Sequence, residues 1–301
     1  MSVNLQKIKK WTNMMLGKSS YHVNQDEGKL YSKTEVKGYY NNLTEKITKY
    51  GKPGELIPKT VVDTGDEIYF SIAIFQYGLA AYDLYLDNKS EEMKKIVIAC
   101  ADWAVENQDD EGRWVTFAYE NTNMPYSAMA QGEAISLLIR ANYLIETDRY
   151  TATIEKAFEY MLKPLEDGGP TKYEDEKVYF YECPADPLIL NGWIFSIWGL
   201  WDYVKEYKNS NAGTILQRTL KTLEVTLPKY DIKYWSKYED GRRIASPFYH
   251  ALHIAQLNVM YELTGIEVFQ EYAIKWNHYQ ESWINRSRAF AKKAFQKVFQ
   301  E

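Results

Sequence analysis

Four segments of this chain repeat one pattern, in which an apolar stretch rich in small residues is followed by a more charged stretch of similar length. The apolar stretches start near Ser71, Ser127, Pro187 and Phe248, roughly 60 residues apart, and the charged ones follow near 90–106, 150–163, 210–226 and 266–298. Ile72, Phe75, Gln76, Leu79 and Tyr82 keep helical spacing in the first apolar stretch, and Ile135, Leu138, Ile139 and Ala141 in the second. Asn88–Lys89–Ser90, Asp148 and Asn209–Ser210 read as the caps and turns between paired helices. A helix that is apolar on nearly all sides is buried on all sides, whereas its charged partner keeps one wet face. A hairpin of this kind cannot bury its inner helix alone and must stack on the next one. The pattern therefore predicts an all-α dominated fold, an α/α toroid or barrel of about four helical hairpins, complete or open, over residues 66–301. Residues 1–65 break the period and alternate short apolar pieces with Gly, Pro and Asn. They predict an N-terminal helix and short β-hairpins packed on the helical body.

The connections from each outer helix to the next inner one are long, near 108–126, 164–186 and 228–247, and they carry aromatic and charged residues. Because they recur at equivalent places in the repeat, they should emerge on one face and converge there. Long loops on a rigid scaffold are where function usually sits.

Composition narrows the chemistry. Among 301 residues are 26 tyrosines and 9 tryptophans, more than a core alone requires and common where a cleft holds carbohydrate, although structural tyrosines account for part of the excess. A net charge of −5 with no basic stripe argues against nucleic acid. A polyanionic ligand would need a locally positive groove, and Lys233, Lys237, Arg242 and Arg243 form the densest such group. The two cysteines, Cys100 and Cys183, and the four histidines lack metal-ligand spacing, so no metal or cofactor site is expected. The first twenty residues have no continuous apolar core, and no run of 18 apolar residues follows, so a cytoplasmic chain without a membrane anchor is the expectation.

Residues 230–257, YDIKYWSKYEDGRRIASPFYHALHIAQL, place four tyrosines around Arg242 and Arg243 and lead into an apolar run carrying His250 and His253. Aromatic faces stack on pyranose rings, arginine forks grip carboxylates, and a phenol can carry a proton. The plainer reading is aromatic packing of a loop beside a solvated arginine pair. This stretch, together with FQYGLAAYDLYL (75–86), YSAMAQGEAISLLIRA (126–141) and PADPLILNGWIFSIWGLWDY (184–203), resembles the C-terminal catalytic domain of the D-glucuronyl C5-epimerases. The resemblance covers about residues 66–280 in order and spacing. It implies conversion of D-glucuronate to L-iduronate in a heparosan-like glycan, and a homodimer, for which the aromatic segment Tyr272–Phe299 is a candidate face.

Epimerisation at C5 removes a proton alpha to a carboxylate and returns one to the opposite face. It needs two proton-transfer groups and a clamp for the developing charge. The resemblance assigns Tyr238 as the catalytic tyrosine and Tyr249 as a second essential one. Arg242, four residues beyond Tyr238, could lower its pKa. The 108–114 turn, QDDEGRW, resembles the family segment with the essential carboxylate, which leaves Asp110 and Glu111 as alternatives and Trp114 as a sugar platform. Either acid could equally belong to an exposed turn. Cys183 stands where the family usually has a tyrosine. Its thiol can transfer protons, and Tyr181, with Tyr179 on the same strand face, could reach in instead. Gln131 and Asn191 orient the ligand or cap a helix, while His250 and His253 are ligand contacts or satisfied core residues. Two further readings remain open. One is a lyase, or a hydrolase pairing Asp110 or Glu111 with Glu182, two carboxylates about 5–9.5 Å apart across the scissile bond. The other is a degenerate copy that only binds an acidic glycan.

Overall fold

The computed structural model describes residues 25–62, 65–120 and 122–299. The repeat resolves into four hairpins: α2 (Ser71–Asn88) with α3 (Glu91–Asn107), α4 (Ala128–Leu144) with α5 (Thr151–Met161), α6 (Leu190–Tyr207) with α7 (Ser210–Thr226), and α8 (Pro247–Thr264) with α9 (Glu267–Glu281). Short polar residues start several of these helices. Ser90, Ser127, Asn209 and Ser246 each accept a hydrogen bond from the backbone of the first turn. Pro247 takes the first helical position of α8, where its missing N–H costs nothing. Lys89, Lys208 and Gly265 end the inner helices in the left-handed conformation that turns the chain back.

The inner helices pack consecutively, α2 on α4, α4 on α6 and α6 on α8, and each outer helix covers its partner. Packing of α8 back onto α2, which would close a ring, is not among the extensive contacts. The α4–α6 pair approaches most closely because Gly132 faces Ser196 and Gly199, where any side chain would overlap the opposing backbone. Every residue of α4 from Ala128 to Ala141 is buried, as its nearly unbroken apolar sequence requires.

Two features differ from the sequence expectation. The last outer segment is two helices, since Ser282 turns extended, ends α9 and offers its hydroxyl to the Asn285 N–H at the start of α10 (Trp283–Phe299). Strand structure is also spread more widely than residues 1–65. A first hairpin pairs β1 (Thr60–Val61) with β2 (Glu67–Ile68). A second, β3 (Thr171–Glu174) with β4 (Lys177–Phe180), lies in the connection before α6. Of residues 1–65, for which an N-terminal helix is expected, residues 1–24 lie outside the described residues. Between 25 and 62 the one α-helix is the single turn α1 (Glu45–Thr48).

Residues 37–40 are tied to the inner helices by a buried network. Arg140 donates to Asp202 at 2.6 Å and to the carbonyls of Lys37 at 2.8 Å and Gly38 at 3.0 Å. Asp202 also accepts from the Tyr40 hydroxyl at 2.6 Å and from Ser136 at 2.7 Å. With both members of the ion pair fully buried, removing either would strand a charge.

Candidate active site

The 231–245 connection folds as an irregular hairpin pinned on three sides. Tyr238 N–H donates to Arg243 O at 2.9 Å and Ala245 N–H to Ser236 O at 3.0 Å, which closes the hairpin. Leu190 N–H donates to Tyr238 O at 3.1 Å and Asp240 N–H to Leu188 O at 3.0 Å, which fixes it to the start of α6. The third anchor is the histidine pair. Trp276 O can only accept, so His250 donates through Nε2 at 3.0 Å, which leaves Nδ1 to accept from Ser236 N–H at 3.2 Å and to face Ser236 Oγ at 2.8 Å. His253 Nδ1 lies 3.1 Å from the same hydroxyl, and the His250 ring stacks on Trp235 at 3.7 Å. Burial holds both imidazoles neutral, His250 down at about 3 and His253 well below its usual range. His250 thus ties the hairpin to α9, and His253 shares the Ser236 hydroxyl while its Nε2 is buried without a partner among the described residues.

That support positions Tyr238 against Tyr249, which projects from the first turn of α8. Their rings are 4.7 Å apart, and their hydroxyls hydrogen-bond to each other. Burial, followed by the negative charge of Glu182, pushes both phenols above the ordinary tyrosine range. The guanidinium lying 5.4 Å from the Tyr238 ring belongs to Arg243, not Arg242, and its lowering effect is outweighed. Both tyrosines are therefore protonated at neutral pH, contrary to the expectation of a phenol activated by arginine.

Glu182 is the carboxylate that acts on both tyrosines. It leans on the α6 backbone at Gly192, where any side chain would collide with it, and this explains the glycine of the LNG string. Behind it, Glu133 is fully buried on α4, with Oε1 accepting from Gln76 at 2.7 Å and Oε2 without a hydrogen-bond partner among the described residues. Burial drives its carboxyl well above the usual range and Glu182 adds to the rise, while Gln76 and Lys46 oppose it. Lys46 is correspondingly lowered to about 8 by burial. Asn191 and Gln256 complete this interior. Gln256 donates to Asn191 O at 3.2 Å, and the side-chain oxygens of both are buried acceptors without a partner among the described residues.

The other sequence candidates divide between this site and positions away from it. Arg243 pairs with Asp186 at 3.5 Å and Glu239 at 3.9 Å beside the tyrosines, whereas Arg242 is exposed. Cys183, next to the partly exposed Glu182, is buried in the core. Tyr181 continues β4, and its N–H donates to Pro170 O. Tyr179 packs on Trp193 and reaches toward Glu174. Burial raises both of these phenols. Asp110 and Glu111 sit on an outer turn, where Glu111 is held by Lys163 at 2.9 Å and by Arg113 at 3.1 Å; these contacts, Lys163 foremost, lower its pKa. Gln131 binds that turn to the body by donating to Gly112 O and Ala157 O, so it acts as a tether. Trp114 is 1 % exposed, donates to Ala104 O and meets Phe75 edge-on, so no ring face is open to a sugar.

The residues that sequence reasoning passed over are Glu133, Gln76, Gln256 and Lys46. The first three had a visible signal, an acid or amide inside an inner helix that is otherwise apolar, which a buried position tolerates only with partners. Among the described residues no three His, Cys, Asp or Glu side chains gather as metal ligands, and no helix is long and apolar enough to cross a membrane.

The chain is similar to known proteins. The chain is 26% identical over 223 residues to a D-glucuronyl C5-epimerase of Caenorhabditis elegans, covering 64% of this chain and 36% of that protein. It is 28% identical over 155 residues to an uncharacterized protein of Methanocaldococcus jannaschii, covering 50% of each. The chain thus spans about a third to a half of the length of these relatives. A family profile described as D-glucuronyl C5-epimerase C-terminus matches residues 108–278, more than half of the chain and the whole span from the 108–114 turn through Tyr249. The chain belongs to the D-glucuronyl C5-epimerase C-terminus family.

Proposed function

We propose that the chain is a uronate C5-epimerase that converts D-glucuronate to L-iduronate within a glycan. The observation that carries this reading is one carboxylate, Glu182, set against two neutral, mutually hydrogen-bonded phenols, Tyr238 and Tyr249. Epimerisation needs a base on one face of the ring and an acid on the other, and these groups supply one of each. In the forward direction Glu182 takes the C5 proton. The electron pair moves into the substrate carboxyl group, and a phenol delivers its proton to C5 from the other side. The second phenol and Arg243 stabilise the phenolate left behind, and the proton on Glu182 returns to it to close the cycle.

Tyr249 is the donor in this scheme. It sits in the first turn of α8, where the positive end of the helix dipole favours an anion. Tyr238 then acts as its hydrogen-bond partner. The bare acceptors on Asn191 and Gln256 suit sugar hydroxyls, which would donate to them. Disaccharide analysis of a glucuronate-containing polysaccharide of the heparosan type, treated with the protein, tests the reaction. Iduronate in an uncut chain is the expected product. Unsaturated ends would make the protein a lyase, and new reducing ends a hydrolase.

A further inference from the structure

A second groove, about 380 Å³ in volume, lies on the opposite face of the Tyr238 hairpin, against α10. Lys237 and Ile244 pair across the hairpin and line this groove, while Tyr238 and Arg243, one residue along each strand, face the tyrosine site. Three cations, Lys237, Arg242 and Lys292, surround an apolar floor that includes Phe295 and Ile244, and no acidic side chain lines it. None of the three is ion-paired among the described residues, although the chain as a whole carries −5; Lys237 donates to Gly241 O at 3.1 Å at the groove's edge.

The groove is held in shape by buried polar contacts from α10. Gln296 donates to Arg242 O at 2.6 Å and accepts from Ile244 N–H at 3.1 Å, and Lys293 donates to Ile244 O at 3.0 Å. Both side chains are nearly inaccessible to solvent. The backbone that presents Arg242 is therefore fixed in advance, which reduces the ordering cost of binding. Clustered cations select an anion, and an aromatic and aliphatic floor between them suits the C–H face of a sugar ring better than a bare inorganic ion. The volume falls within the range of small-ligand sites, about 300–1,000 Å³.

We propose that this groove is a second anion-binding site, which takes carboxylate-bearing sugar units of an acidic glycan outside the unit being epimerised. The assignment of a glycan rests on the proposed function above; the anion chemistry of the groove does not. A polymer long enough to pass over the hairpin would occupy both faces, so affinity should rise with chain length through effective concentration.

Equilibrium binding of polymeric heparosan and of a heparosan tetrasaccharide to the full chain, in low salt, tests the site. Lys292→Glu reverses one exposed charge in the groove and touches none of the tyrosine site, and Lys95→Glu on α3 makes the same change in net charge elsewhere. The expected result is polymer binding weakened by about tenfold in Lys292→Glu, with Lys95→Glu within about twofold of wild type and the tetrasaccharide unaffected by either. Equal polymer binding by the two variants would overturn the proposal. Because binding is read without turnover, the two ideas fail separately. A Lys292-dependent affinity without C5 exchange would leave the groove standing and sink the epimerase reading. Exchange with a silent Lys292→Glu would do the reverse.

Discussion

Replacing Glu182 by glutamine keeps its volume against Gly192 and removes its charge and basicity. If Glu182 takes the C5 proton, the change removes a general base, worth about 10²–10⁴ in rate, or roughly 3–5 kcal/mol of transition-state stabilisation. The same substitution moves the phenols in a known direction. Glu182 is second only to burial in raising both Tyr238 and Tyr249, so without it both ionise at lower pH than in the wild type. These two effects separate the roles open to this residue. A carboxylate that only shaped the field around the tyrosines would, when removed, leave stronger phenolic acids and an undiminished rate. Single-turnover C5 exchange on a glucuronate oligosaccharide measures the rate, and ultraviolet titration of phenolate measures the tyrosines. The account requires exchange to fall at least about a hundredfold while the phenolate signal moves to lower pH. Wild-type exchange combined with the shifted titration would refute the assignment of the base.

Three further outcomes follow from the buried polar groups. Ser236→Ala removes the hydroxyl between His250 and His253, and leaving His253 Nδ1 without its partner while His250 keeps only the Ser236 N–H should cost about 1–3 kcal/mol in urea unfolding and speed amide exchange at Tyr238; an unchanged midpoint would deny the histidines their supporting role. Arg140→Met strands Asp202 and two backbone carbonyls in the interior and should destabilise by about 3–5 kcal/mol, against a near-neutral result if the network were surface-like. Asp83 is raised from 3.8 to about 7, chiefly by burial, so the folded chain keeps a proton there that the unfolded chain has lost. Its contribution is largest below about 3.8 and disappears as pH rises through about 7, on the order of 4 kcal/mol in all, and the wild-type stability curve should therefore descend relative to that of Asp83→Asn over this window, parallel curves being the contrary result.

The hairpins were legible because burial on all sides leaves an unmistakable mark on α4 and α6, and because serine, asparagine and proline punctuate the helix starts. The break at Ser282 was less visible, since serine is tolerated within a helix and only its capping of α10 shows that it ends α9. At the site, the sequence pointed to Tyr238 and Tyr249, and the structure brings the two together. Glu182, the carboxylate proposed as the base, was harder to read. Asp110 and Glu111 stand in an acidic run beside a tryptophan, whereas Glu182 is a single residue whose placement depends on the fold of the 164–186 connection over Gly192. Arg242 and Arg243 are neighbours in sequence, but the hairpin sends them to opposite faces, so one register step separates the tyrosine site from the basic groove.

The most direct test of the central claim is proton NMR of heparosan oligosaccharides incubated with the protein in deuterated water, run beside Tyr249→Phe. The expected result is loss of the glucuronate H5 signal and appearance of iduronate without chain cleavage in the wild type, and no iduronate from the variant with glycan binding retained. An undiminished H5 signal with the wild type, in a preparation that binds the oligosaccharide, would contradict it.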